Sequence, residues 1–224
     1  MSKMPCELGG SGRWVAALLA AGMLLLAAPS GATIISGSVT AGGGSFIKLA
    51  IPLTGSSPAN TVGNDNFNLQ NLYGFDESQN TTLTSNLTPD LVPSGGLVTL
   101  LNGTTVASHY VFYDPVSGNI KGMVNFDADI LAVLTRTTTL AATDYLANTG
   151  VNYLNPGMRG LESGDVVTIS GARQISIDFT AGSPGDYVRV LTAFSPGAMP
   201  EPSSYALVGV ALLGMGAAQR RRQR

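Results

Sequence analysis

Apolar and polar residues alternate with period two along the middle of this 224-residue chain. In Gln174–Thr180 (QISIDFT), Ile175, Ile177 and Phe179 fall on one face and Ser176 and Asp178 on the other, the pattern of a half-buried strand. Phe46–Ile51 (FIKLAI) places Ile47, Leu49 and Ile51 together in the same way. Asp165–Ser170 (DVVTIS) and Asp186–Phe194 (DYVRVLTAF) are rich in β-branched residues and follow Ser-Gly and Ser-Pro-Gly turns. Thr105–Pro115 (TVASHYVFYDP) is apolar on both faces near its end, as a central strand would be. Gly96–Leu101 (GLVTLL) and Ile120–Phe126 (IKGMVNF) complete a series spaced roughly every ten residues. Strands of this length, punctuated by Gly, Pro, Asn and Asp, predict an all-β fold: an antiparallel β-sandwich, jelly-roll-like in plan.

One short helix is expected to interrupt the strands. Thr138–Gly150 (TTLAATDYLANTG) offers Thr139 as N-cap, Leu140, Ala141 and Ala142 as helix formers, and Gly150 as a stop. Thr54–Gln70 has little apolar content and reads as a long surface loop with room for a short strand.

Two uncharged apolar runs flank this domain. Trp14–Ala28 (15 residues) follows Lys3 and Arg13 and precedes Ser30–Gly31–Ala32. That is the layout of a secretory signal peptide with small residues at −3 and −1, and the run is short of the ~20 residues a bilayer span needs. Residues 1–32 are therefore expected to be removed by signal peptidase between Ala32 and Thr33. The single cysteine, Cys6, would leave with them, so the exported chain has no thiol for a disulfide, a zinc site or a nucleophile. The domain from Thr33 to Met199 carries six basic and twelve acidic residues. A sparse, mildly acidic domain lacks the basic stripe that nucleic acid requires.

The second run, Tyr205–Ala218, stands between Pro200–Glu201–Pro202 and a basic block of Arg220, Arg221, Arg222 and Arg224. Residues Pro202–Ala218 make about 25 Å of helix, a marginal transmembrane helix against a hydrocarbon core of ~30 Å. The arginines would stay cytoplasmic, leaving the proline-flanked triplet extended just outside the membrane. Triplet, Ser203–Ser204, apolar helix and arginine block together resemble the PEP-CTERM sorting tail of exported bacterial proteins. The resemblance implies that a membrane enzyme, exosortase, recognises residues 200–202 as its sorting motif. It also implies that the protein is first anchored by the helix and then passed to the cell surface or extracellular polysaccharide. More loosely, ASHYVFYDP, VNFDADILAVLT and SPGDYVRVLTAFSP resemble the bodies of surface proteins that carry such tails; no activity comes with that likeness.

Candidate chemistry in the domain is thin. The one histidine, His109, sits among aromatic strand residues with Ser108 on the opposite face, because side chains alternate. A Ser-His-Asp triad is thus not expected, and His109 reads as a packed or rim residue. Asp127 and Asp129 lie two apart; in an extended segment they would share a face with Cα atoms ~6.6–6.8 Å apart. That spacing suits a Ca²⁺ site and is near the ~6.5–9.5 Å carboxyl separation of inverting glycosidases, or the pair is simply solvated. Gly63–Asn66 (GNDN) and Phe75–Ser78 (FDES) are further oxygen-rich stretches without EF-hand spacing. The domain has tyrosines but no tryptophan, since Trp14 lies in the leader, which weakens any sugar-stacking surface.

Three readings follow. The leading one is an exported, exosortase-sorted surface or matrix protein with a non-catalytic structural or interaction role. A carbohydrate-binding module with a Ca²⁺-stabilised site is the second, and a polysaccharide-active enzyme the third. No catalytic residue or organic cofactor is assigned; calcium at Asp127 and Asp129 is the one metal expectation.

Overall fold

The computed structural model describes residues 32–194. The leader up to residue 31, the triplet 200–202, the helix 205–218 and the basic end 220–224 lie outside the described residues. Two sheets carry the architecture. The first contains β1 (Ile34–Ala41), β7 (Gly118–Phe126), β11 (Gln174–Ala181) and β10 (Val166–Gly171) in the order β1-β7-β11-β10, every pair antiparallel. The second contains β2 (Phe46–Lys48), β4 (Leu72–Asp76), β6 (Thr105–Tyr113), β12 (Asp186–Ala193) and β8 (Ile130–Leu134) in the order β2-β4-β6-β12-β8. Its pairs are antiparallel except β2 with β4, and β5 (Thr81–Thr82) adds to β6. A small parallel pair joins β3 (Thr61–Val62) to β9 (Asn152–Tyr153). Among the described residues one helix, α1 (Thr137–Ala142), is followed by single 3₁₀ turns at Asp144–Leu146 and Pro156–Met158.

The alternation in β11 is realised as read: Ile175, Ile177, Phe179 and Ala181 are buried and the intervening residues are not. They meet β7 in register, Ile175 opposite Val124 and Phe179 opposite Ile120. Strands β6 and β12 are buried on both faces, because the second sheet is covered on both sides. Val111, Tyr113, Val188 and Val190 join the first sheet's Ile120, Val124, Ile175 and Phe179 in one apolar cluster. The alternate residues Tyr110, Phe112, Tyr187 and Leu191 pack instead on Leu140 of α1, Leu146 and Val151. This second cluster holds a run of aromatic contacts, with Phe67, Tyr73 and Phe112 at 4.9–5.3 Å between ring centres.

Four expectations need correction. Gly96–Leu101 forms no strand; Leu97, Val98 and Leu101 are exposed and only Leu100 turns inward, bridging Leu87. Among the described residues only Leu100 of this stretch exchanges backbone hydrogen bonds with another segment, at Leu87. In Phe46–Ile51 the strand ends at Lys48, and of the supposed inward face only Leu49 is buried while Ile47 and Ile51 reach solvent. Pro52, with no N–H to give a ladder, follows directly. The stretch 54–70 does hold the short strand it had room for, β3, but it is not confined to the surface: Val62 and Phe67 enter the core. Helix α1 begins two residues before Thr139 and ends at Ala142, well short of Gly150.

The early end of α1 has a local cause. The Thr143 hydroxyl donates back to the Thr139 and Leu140 carbonyls (2.8 and 3.1 Å), a back-bond that competes with helix continuation. The start of α1 is held from a distance. Asp90 accepts hydrogen bonds from the Thr135 and Arg136 amides (2.7 and 3.0 Å) and the Thr139 hydroxyl (2.6 Å), and pairs with the Arg136 guanidinium.

Candidate functional site

The densest chemistry lies where β12, β4, β6 and the segment after α1 meet. Arg189 of β12 and Glu77, just past β4, form a two-pronged ion pair at 2.7 and 2.9 Å. Neither side chain has exposed surface. The pairing is fixed by topology: strands β4 and β12 flank β6, and both residues project to the face that carries α1. Both residues bind further groups. Glu77 also accepts from the Ser108 hydroxyl (2.5 Å) and the Tyr153 hydroxyl (2.7 Å). Arg189 Nη1 donates to the Leu140 carbonyl (3.0 Å) and Thr143 Oγ1 (2.8 Å), and the guanidinium lies 5.8 Å from the centre of the Tyr110 ring. Burial opposes charge on Arg189, but the Glu77 carboxylate more than offsets it and holds the guanidinium protonated. The Tyr153 hydroxyl is pushed well above its ordinary value by burial and then by Glu77.

A second pair borders the first. Arg159 grips Asp144 through both guanidinium nitrogens at 2.8 and 2.7 Å, and Arg189 Nη1 stands 3.6 Å from Asp144. Arg159, Asp144, Asn148, Val151, Tyr153 and Pro156 line a groove of about 320 Å³. Tyr145, beside Asp144 in the chain, is among the exposed large side chains.

His109 is packed, as its aromatic neighbours suggested. It is fully buried on the opposite face of β6 from the ion pair, 5.0 Å from the Phe126 ring. Its Nδ1 stands 2.7 Å from Asp76 Oδ1 and its Nε2 3.0 Å from Thr192 Oγ1. The carboxylate can only accept, so Nδ1 carries a proton towards Asp76, and Nε2 faces the Thr192 hydroxyl. Asp, His and a hydroxyl are in line, yet Thr192 has no exposed surface and offers nothing to a substrate. Ser108 does lie on the other face, bound to Glu77. At Asp76 burial opposes ionisation. The hydrogen bond and charge of His109, then Lys48 and Thr33, outweigh it and hold the carboxyl well below the usual range.

Asp127 and Asp129 occupy a bend between β7 and β8, not the extended segment on which a shared face depended. Asp127 Oδ1 accepts from the Thr33 amide (2.7 Å), and Asp129 pairs with Arg173 (2.7 Å). Among the described residues no group of three or more His, Cys, Asp or Glu is placed to hold a metal.

Two further acids were not singled out by sequence. Asp114 ties the 54–70 segment to the end of β6, accepting from the Asp65 and Phe67 amides (3.0 and 3.2 Å) and the Tyr187 hydroxyl. Burial pushes it up to about 6 against those hydrogen bonds. Asp186 is 2% exposed, and its Oδ2 has no partner among the described residues. Burial, then the neighbouring Asp165 and Glu162 carboxylates, push it up to about 8. Only one of the missed residues left a legible trace: Arg189 is the single cation in DYVRVLTA, set between the apolar Val188 and Val190.

No protein-family model, curated protein or solved structure matches the chain.

Proposed function

We propose that this is an exported surface or matrix protein with a non-catalytic structural or interaction role, delivered by a signal peptide and sorted through a PEP-CTERM-like tail. The order of parts carries this reading: an apolar leader ending Ser30–Gly31–Ala32, one β-rich domain, then Pro200–Glu201–Pro202, an apolar run and four arginines. Its domain is taken as a jelly-roll-like sandwich, supported by the apolar cluster that both sheets share and by the passage of β6, β7 and β8 from one sheet to the other and back. The non-catalytic role is supported by the way the buried charges are spent: Glu77, Arg189, Asp76 and His109 bind one another and the backbone. The test is fractionation of cells producing the full chain with Pro200, Glu201 and Pro202 all replaced by Ala. The wild-type protein is expected at the surface or in the medium and the variant in the membrane fraction; identical distribution contradicts sorting by the triplet.

A carbohydrate-binding role is the second reading, favoured by the groove with Arg159, Asp144 and Asn148 on its walls and Tyr145 exposed nearby. Paired planar polar groups beside an aromatic ring suit hydroxyl recognition. A calcium ion shared by Asp127 and Asp129 would have to displace the Arg173 guanidinium and the Thr33 amide. Saturable binding of the exported protein on a glycan array, lost in Arg159→Ala, is the outcome this reading expects.

A further inference from the structure

We propose that cleavage after Ala32 creates a partner for Asp127: the new α-ammonium of Thr33 forms an ion pair with that carboxylate and locks the processed end into the fold. This rests on the exported reading above, and it assigns a role to the terminus that export creates.

Thr33 is held at more points than a trailing linker would be. Its amide donates to Asp127 Oδ1 at 2.7 Å, and its carbonyl accepts from the Asp127 amide at 3.0 Å. Its hydroxyl donates to Asp76 Oδ2 at 2.6 Å, and the next amide, Ile34, donates to Asp76 Oδ1 at 2.9 Å. Strand β1 then begins opposite Phe126. The first residue after the expected cleavage is thus anchored by side chains from two other segments.

The charges at this corner are matched except at one place. Asp76 is paired with Lys48 (2.8 Å) and His109 (2.7 Å), and Asp129 with Arg173 (2.7 Å). Lys48 also reaches Thr33 Oγ1 and the Ile34 carbonyl. Asp127 alone has no cationic partner among the described residues; its one donor is the Thr33 nitrogen. Hydrolysis of the Ala32–Thr33 peptide consumes one water. It leaves a carboxylate on Ala32 and an amine on Thr33, which takes up a proton below its ordinary value of about 7.7–8.0. The nitrogen that donated as a neutral amide then donates as a cation, and a charge-assisted hydrogen bond is roughly twice as strong as a neutral one. Ala32 itself is buried against Ala107 and Ala128, so the scissile bond is open to a peptidase only before the domain folds, during export.

The experiment uses protein produced from the full gene and recovered after export, as wild type and as Asp127→Asn. The substitution keeps the shape and the acceptor oxygen but removes the charge. N-terminal peptide mass is expected to begin at Thr33. The melting temperature of Asp127→Asn is expected roughly 3–8 °C below wild type at pH 7. That gap should close as pH rises through about 8–10, where a paired ammonium loses its proton. Titration of Asp186 and Asp76 is common to both proteins and cancels in the difference. A start other than Thr33, or a gap that is absent or constant with pH, overturns the inference while leaving export intact. Absence of the protein from both the cell surface and the medium overturns the exported reading as well.

Discussion

Arg189 and Glu77, 112 residues apart in the chain, meet through two hydrogen bonds of 2.7 and 2.9 Å with no side-chain surface left to solvent. A buried pair of this kind holds distant segments in register, since either charge alone would be stranded. Glu77→Ala or Arg189→Ala is expected to lower stability by about 3–5 kcal/mol. Glu77→Leu with Arg189→Met should recover much of that loss, because two apolar groups leave no uncompensated charge. Urea unfolding of the four proteins measures this; a single substitution that costs under about 1 kcal/mol contradicts it.

Asp90 tethers the chain that leads into α1. Replacing it with Ala removes acceptors from two amides and the Thr139 hydroxyl and is expected to cost about 1–3 kcal/mol, the scale of polar groups left without a partner. Asp90→Asn should cost less, as one amide oxygen still accepts. Equal losses in the two variants by thermal unfolding would show that these hydrogen bonds are not the cause.

The pH dependence combines two opposite signs. Asp114 and Asp186 have folded values raised to about 6 and about 8 from 3.8. The folded chain therefore binds more protons than the unfolded one across that window, and stability falls as pH rises through it. Asp76 is shifted the other way, so its contribution is present above the unfolded value and lost on acidification. The melting temperature should peak on the acid side of neutrality. Asp186→Asn should flatten the fall towards pH 8 and raise stability there by on the order of 1–3 kcal/mol, by removing an unpartnered buried charge. A melting temperature that climbs from pH 5 to pH 8 would contradict these assignments.

Close approach of β1 to β7 fixes one glycine. A Cβ on Gly122 would stand 2.5 Å from the Ser38 carbonyl oxygen and 3.0 Å from Leu72 Cδ2. Gly122→Ala is expected to cost about 1–3 kcal/mol, whereas an alanine at Gly157, with open space around it, should change little. Paired melting curves decide it.

Much of the fold was legible from local pattern. Gln174–Thr180 announced β11 because one of its faces is buried and the other is not. Thr105–Pro115 announced a central strand because both faces are covered. Gly96–Leu101 misled for the converse reason: an apolar run becomes a strand only if another strand is there to pair with it, and nothing local records that. Of the site, His109 was readable as a packed residue from its aromatic flanks. The Glu77–Arg189 pair was not, since its partners stand 112 residues apart in the chain and only the topology of β4, β6 and β12 brings them together. The Asp127–Asp129 spacing suggested a shared face, but that inference depended on an extended backbone, and the chain bends there.

The intact mass of the protein recovered from the cell surface tests the central claim most directly. A species that begins at Thr33 and lacks Arg220, Arg221, Arg222 and Arg224 is the expected result. A surface species that still carries the arginine block would contradict processing at the Pro200–Glu201–Pro202 triplet.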